Sequence, residues 1–287
     1  MKKKTKKIPQ DIIGNIALLK FPRRTLWIIK KLKARKFLKQ NKTVTTVLEK
    51  TEGFSGELRT LKTKYLAGIK TKQATYKENN CIFKFNVDES YFSPRLSNER
   101  KVIADEVVKL TKKNFKILVM FAGISPYPIT IAKKLKQANK KATIISNELN
   151  KKANEESKRN ITLNKLQDYI KIIPGDAKKL PQILNKISNV ACPKQIKKIT
   201  EGTTTKLPSK FDIILMPRPN LPDTFLKTAL ALSKKGTTIF YHGFGTKQEV
   251  LNEIKKDTKG KIRKIKIRKA GDIGPYTFRW QAEFKVK

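Results

Sequence analysis

Five short apolar runs constrain this chain more than anything else in it. They are FKILVMF (115–121), ATIISNE (142–148), IKIIP (170–174), FDIILMP (211–217) and GTTIFYHGF (236–244), and segments of helical period separate them. Runs that do not alternate with polar residues belong to strands buried on both faces. Helices placed between such strands make the sheet parallel. The predicted fold class is therefore α/β, a Rossmann-like sheet over residues 101–287. A helix over 101–113 leads into it, and a final antiparallel pair, KIRKIKIRKAG and YTFRWQAEFKVK, closes it. The stretch 185–210 is polar and basic with turn formers at its end, so it reads as an insertion loop within that sheet.

Residues 1–100 follow a different rhythm. DIIGNIALLKF reads as a strand broken by glycine, ARKFLKQN as a basic helix and KTVTTVLEK as an alternating strand. GFSGELR, KYLAGIK and TYKENNCIFKFNVD read as further short strands. This is a smaller N-terminal α+β domain.

The 287 residues carry 66 Lys and Arg against 23 Asp and Glu, a formal net charge of +43. Such an excess points to a polyanionic partner, RNA or DNA, with salt-dependent binding. Part of it also matches a Lys-, Asn- and Ile-rich residue usage. Cys81, Cys192 and His242 have no metal-site spacing, so no metal is expected and both thiols are expected to be reduced. No run is long and apolar enough for a membrane helix, and MKKKTKKIPQDIIGNIALL lacks a small-residue cleavage site. The expectation is a cytoplasmic monomer.

In a parallel α/β sheet, ligands bind at the carboxyl ends of the strands. The first strand ends in a small-residue turn, Phe121-Ala122-Gly123. The second ends in Glu148, a carboxylate placed to hold a ribose diol, followed by Leu149. The third leads to Asp176 and Ala177, and the fourth to Pro217-Arg218-Pro219. The first turn lacks G-x-G-x-x-G and offers a single glycine, too few for a pyrophosphate. The pattern favours an adenosine-type cofactor without phosphates.

One more stretch stands out, YFSPRLSNER (91–100), directly before the first helix of the larger region. Together with MFAGISPYPITIAKK, SNELNKKANEESKRNITLNK, IIPGDAKKL and FDIILMPRPNLPDTFLKTALALSKKGTTIFYHGF, it resembles the archaeal and eukaryotic tRNA guanosine-37 N1-methyltransferases. The resemblance runs over about residues 10 to 287. It implies a class I methyltransferase sheet, S-adenosyl-L-methionine as cofactor and the tRNA anticodon loop as partner. By the same resemblance, Arg95 contacts the target guanine and assists its activation. Arg100, Phe121, Ala122, Gly123, Glu148, Leu149, Asp176, Ala177 and Pro217 face the cofactor. Tyr91, Phe92, Ser93, Pro94, Arg218 and Pro219 face the substrate, and Tyr127 is a further candidate stacking ring.

The chain departs from the family at several points. Val119 stands where an acid is usual, Ser125 where a glycine is usual, and Pro217 where an asparagine is expected. The family's N-terminal domain has no counterpart in the sequence. Glu99 is a candidate general base, although an acid there also complements a helix dipole. Two other readings fit the same residues: an aminocarboxypropyl transferase of wyosine synthesis or a methyltransferase of another tRNA base, and a catalytically silent RNA-binding homologue.

Overall fold

The computed structural model describes residues 10–53, 56, 58–189, 207–274 and 276–287. The basic N-terminal run and residues 190–206 of the expected insertion, Cys192 among them, lie outside the described residues. The chain divides into two compact units, Met1–Arg95 and Leu96–Lys287.

In the first unit, β1 (Gln10–Ile13) and β2 (Ile16–Leu19) form a hairpin. Helix α1 (Trp27–Gln40) then crosses to β3 (Thr46–Lys50), which pairs parallel to β2, and β4 (Thr63–Gly68) returns antiparallel to β3. The helix and the sheet close on Ala17, Leu19, Phe21, Ala34, Val44, Val47, Leu66 and Ala67. The glycine break expected in DIIGNIALLKF is the hairpin turn. Gly14 has φ 58°, and a Cβ there would stand 1.9 Å from the carbonyl oxygen of Thr75. β5 (Gln73–Glu78) and β6 (Cys81–Asn86) make a second hairpin through Asn79 and Asn80, both left-handed as a two-residue turn requires. The described residues of GFSGELR are not in the strand its sequence suggested. Gly53 lies outside any strand, and Gly56, Leu58 and Arg59 lie in turns, with Gly56 (φ 69°) and Arg59 (φ 51°) left-handed.

The second unit contains a seven-stranded sheet. In chain order its elements are α2 (Ser97–Leu110), β7 (Phe115–Val119), α3 (Pro126–Gln137), β8 (Ala142–Glu148), α4 (Lys151–Leu163), β9 (Ile170–Pro174) and α5 (Leu180–Asn189). They continue with β10 (Phe211–Met216), α6 (Leu226–Ala231), β11 (Ser233–Gly245), α7 (Lys247–Thr258), β12 (Lys266–Gly274) and β13 (Thr277–Lys285). The order across the sheet is β12-β13-β11-β10-β7-β8-β9. The five strands from β11 to β9 are mutually parallel, and β13 and β12 add antiparallel. One face packs Leu118, Ile145, Ile214, Ile239, Tyr241 and Phe284 against the helices after β9, β10 and β11. This is the α/β architecture its apolar runs dictate. The leading helix begins at Ser97 rather than at 101, with Leu96 at the N-cap and no side-chain cap. Among the described residues no helix is long and apolar enough to cross a membrane, and no cluster of His, Cys, Asp and Glu could hold a metal ion.

Candidate functional site

Strand register brings the expected site residues into one row. Pro174 pairs with Glu148, and Val119 pairs with both Ser146 and Leu215. Leu215 in turn pairs with Phe240. Two residues further along, Glu148, Phe121, Pro217 and His242 stand level at the carboxyl edge of the sheet. In a sheet of this topology, that edge is where ligands bind.

The turn after β7 is built on unusual backbone. Phe121 (φ 54°), Gly123 (φ 56°) and Ser125 (φ 65°) all adopt the left-handed conformation. Ser125 is the N-cap residue of α3, and a glycine there would meet the backbone demand without strain. The serine instead anchors itself: its hydroxyl bonds those of Ser146 on β8 and Ser157 on α4. Ala122 donates its N–H to the Asn147 carbonyl at 2.9 Å, and Phe121 packs edge-on against Phe225 with ring centres 4.8 Å apart. Val119, where the family usually has an acid, is fully buried.

Glu148 is the centre of the turn's polar contacts. Its carboxylate accepts the N–H of Gly123 at 2.7 Å and that of Asn150 at 2.8 Å. Burial pushes the Glu148 carboxyl up from its ordinary range, against the pull of these backbone donors. Its contribution to stability is therefore fullest below pH 4.5 and is lost as pH rises through the raised value. A carboxylate kept under that strain gains from donors such as a ribose diol. Leu149 beside it leaves 41% of its surface exposed, an apolar platform next to the acid. Asp176 caps the following turn by accepting the Lys178 N–H at 2.9 Å, and Ala177 is buried beneath it. A carboxylate pair acceptor, an exposed aliphatic platform and a turn without a phosphate cradle fit a nucleoside, and they fit S-adenosylmethionine. Arg100 is almost fully buried in the first turn-and-a-half of α2.

Three expected substrate contacts are overturned. Phe92 is 5% exposed and packs among Tyr76, Phe83 and Phe85, a core position that leaves no face for a base. Tyr127 is equally buried, in the first turn of α3. Arg218 points inward: Nε donates to the Tyr241 hydroxyl at 2.9 Å, one Nη to the Leu221 carbonyl at 2.9 Å, and the other to Glu253 at 2.6 Å. A guanidinium with its donors committed inside the fold pins the loop after β10, and removing it would leave the Glu253 carboxylate without its cation. Pro217 and Pro219 flank it, each half-buried. Tyr91 is half-buried, with the Arg59 guanidinium 4.7 Å from its ring centre, and Ser93 and Pro94 are half-buried beside it. Arg95 stands in the open, its side chain 80% exposed, in an ion pair with Asp11 on β1.

The sequence reading missed one cluster. Glu99 is buried, and its carboxylate accepts two N–H bonds from Arg268 on β12, at 2.7 and 2.8 Å, and one from His242 Nε2 on β11, at 3.1 Å. Burial opposes its ionisation, but the His242 and Arg268 bonds outweigh it and hold the carboxyl below its ordinary range. Burial depresses His242 likewise, with Arg268 and Arg279 adding to it and Glu99 resisting, so the imidazole is neutral. These residues lie 143 and 169 positions from Glu99 in the chain, and only the fold joins them.

The model of the TRM5/TYW2 methyltransferase domain matches residues 74–197. A relative from Nanoarchaeum equitans, a tRNA (guanine(37)-N(1))/4-demethylwyosine(37)-methyltransferase, is 34% identical over 94% of this chain and 96% of its own length. The chain belongs to the TRM5/TYW2 family. Trm5b from Pyrococcus abyssi is 28% identical over 82% of this chain, which spans 59% of that relative's length. Its crystal structure superposes with a TM-score of 0.71 at 26% identity, covering 97% of this chain and 75% of that one. TYW2 from Pyrococcus horikoshii, solved with MeSAdo, has a TM-score of 0.71 at 23% identity, covering 97% and 90%, and shares the fold. The family consists of S-adenosylmethionine-dependent methyltransferases that modify tRNA, with the Rossmann-like sheet described above.

Proposed function

We propose that this protein transfers a methyl group from S-adenosylmethionine to N1 of guanosine 37 in tRNA. The observation that carries the reading is the 34% identity, over nearly the full length of both chains, to a relative named for that reaction. The two units, as divided at Arg95 and Leu96, would serve as a basic RNA-binding domain and a methyltransferase domain.

The cofactor, when bound, supplies an electrophilic methyl group on a sulfonium. Glu148 would hold its ribose, Leu149 and Ala177 its adenine, and Asp176 the adenine edge. Arg100, Pro217 and the 121–123 turn would complete that pocket. At the substrate, N1 of guanine must lose its proton, and negative charge then develops on O6. Arg95 is the residue for that charge. An exposed ion pair such as Arg95–Asp11 is worth about 0–1 kcal/mol, so RNA displaces it at little cost. Tyr91, Ser93, Pro94 and Pro219 would line the substrate side.

The test is methyl transfer to tRNA transcripts with labelled cofactor, followed by mass analysis of nucleotide 37. Arg95→Ala is expected to lower the rate by about 10²-fold or more while leaving cofactor affinity intact. A variant as active as the parent would remove Arg95 from the mechanism. The second part of the Nanoarchaeum relative's name supports a second reading, methylation of 4-demethylwyosine at position 37 by the same site. Transcripts carrying each nucleotide separate the two readings. A mass gain larger than a methyl group would indicate aminocarboxypropyl transfer instead, and an absence of cofactor binding would indicate a silent RNA-binding protein.

A further inference from the structure

The last three residues of β8, Ser146, Asn147 and Glu148, are all polar, and their side chains reach different neighbours. The Ser146 hydroxyl bonds that of Ser125 at the start of α3. The Glu148 carboxylate takes the N–H groups of Gly123 and Asn150. Asn147 joins neither set. It is 1% exposed and follows Ile145 by two residues, so its side chain lies on the face of the sheet that carries the apolar core. A buried amide in such company is a cost to the fold unless its polar atoms are bonded.

Its bonds run to the end of β9 and the turn beyond. Nδ2 donates to the carbonyls of Ile173 and Gly175, each at 2.9 Å. The main chain joins the same two elements, because the Gly175 N–H donates to the Glu148 carbonyl at 2.9 Å. That carbonyl also accepts Asn154 Nδ2 from α4 at 2.9 Å. β9 is the edge strand of the sheet, and Pro174 has no N–H to offer a ladder. Strand pairing ends at Glu148 and Pro174, and Gly175, with φ 121°, turns the chain away. Just past that point the chain is held to β8 by the Asn147 amide and one backbone bond. The next two residues are Asp176 and Ala177, on the adenine side of the cofactor pocket. On its other flank Asn147 accepts the Ala122 N–H through its carbonyl, at 2.9 Å. One residue thus ties the turns after β7 and β9 to the strand that carries the ribose acid.

We propose that Asn147 is a positioning residue for adenine specificity: it fixes the 175–177 turn relative to Glu148, so that base and ribose are recognised together. It touches no ligand itself. The inference rests on the cofactor roles given above to Glu148 and Asp176. The covalent frame of a nucleoside sets the spacing between its diol and its amino edge. Both ends are bound at full strength only where the two carboxylates are held at the matching spacing, which is the work of supporting hydrogen bonds behind the contacts. Glu148 has supports of its own in Gly123, Asn150 and Asn154, and none of them passes through Asn147. Loss of the Asn147 amide should therefore weaken recognition of the base and spare that of the sugar.

Calorimetry with adenosine, inosine and 2′-deoxyadenosine separates the two ends of the pocket. Inosine presents a carbonyl where adenosine has its amino group, and 2′-deoxyadenosine lacks one hydroxyl of the diol. The parent is expected to prefer adenosine to each. Asn147→Leu keeps the bulk and removes the donor. It should lower the preference for adenosine over inosine by about tenfold, the worth of one hydrogen bond, and leave the preference over 2′-deoxyadenosine unchanged. Gly175→Ala acts on the same turn. Its Cβ would find room, 3.9 Å from Ile183 Cδ1, but not a comfortable backbone. It should reproduce the effect, and the double variant should be no worse than the poorer single one. By hydrogen exchange, the Gly175 amide should lose protection in Asn147→Leu while the Gly123 amide keeps it. Asn147→Ala carries the test should Asn147→Leu fail to fold. A full adenosine preference in the variant, an equal loss of both preferences, or an unaltered exchange rate at Gly175 would overturn the assignment and leave Asn147 an ordinary core residue. A parent that does not prefer adenosine to inosine would overturn the reading of Asp176 instead, and the exchange rates then decide Asn147 by themselves.

Discussion

At the scale of single residues, the Glu99–His242 contact makes the fold sensitive to acid. Both groups have depressed values in the folded chain. A depressed His242 stabilises the fold above its unfolded value of 6.5, and that contribution is lost as pH falls through the folded value. Glu99 behaves the same way from 4.5 downward. The melting temperature should therefore drop in two stretches between pH 7 and pH 3. Thermal unfolding of His242→Gln should lack the upper stretch, and of Glu99→Gln the lower. A parent protein equally stable at pH 7 and pH 5 would contradict the assignment of a neutral buried imidazole. Little of this was legible in the sequence. Glu99 stood out as a candidate general base or an acid at a helix start, and His242 only as a histidine without metal partners; nothing in the sequence joined the two. Arg218 was misread for the same reason. A proline-flanked arginine at a strand end looks like a ligand contact until Tyr241, Leu221 and Glu253 are folded around it.

At the scale of elements the sequence was far more informative, because strands buried on both faces must be written as uninterrupted apolar runs. β8 occupies Ala142–Glu148 and β9 Ile170–Pro174, the bounds their runs define. Glycines were harder to interpret. Gly14 proved to be a turn pressed against the backbone of β5, where Thr75 N also donates to the Asn15 side chain at 2.7 Å. Gly14→Ala should destabilise the first unit by more than the roughly 1–2 kcal/mol of a left-handed alanine, since a Cβ 1.9 Å from a carbonyl oxygen forces the hairpin away from β5. Denaturant unfolding measures this, and an effect below 1 kcal/mol would mean that the two hairpins are not in contact as described.

For the whole molecule, the net charge of +43 is the dominant property. Helix α1 shows it locally: its 14 residues include six Lys and Arg and no acid. If binding to tRNA engages about 6–10 phosphates, affinity should fall by about 10³–10⁵ between 50 and 200 mM salt. Filter binding across that range gives the slope. A shallow slope would show that most of the lysines are surface usage with no part in binding. Affinity for S-adenosylmethionine, which carries no phosphate, should respond far less to the same change.

The hydroxyl contacts of Ser125 make the turn after β7 depend on three positions of the chain rather than one. In this chain the left-handed backbone is braced by Ser146 and Ser157. A change at either position removes a brace from Ser125, and glycine at 125 would hold the left-handed backbone without either hydroxyl. The shape of that turn is thus held jointly by three sites rather than by one residue's conformational freedom.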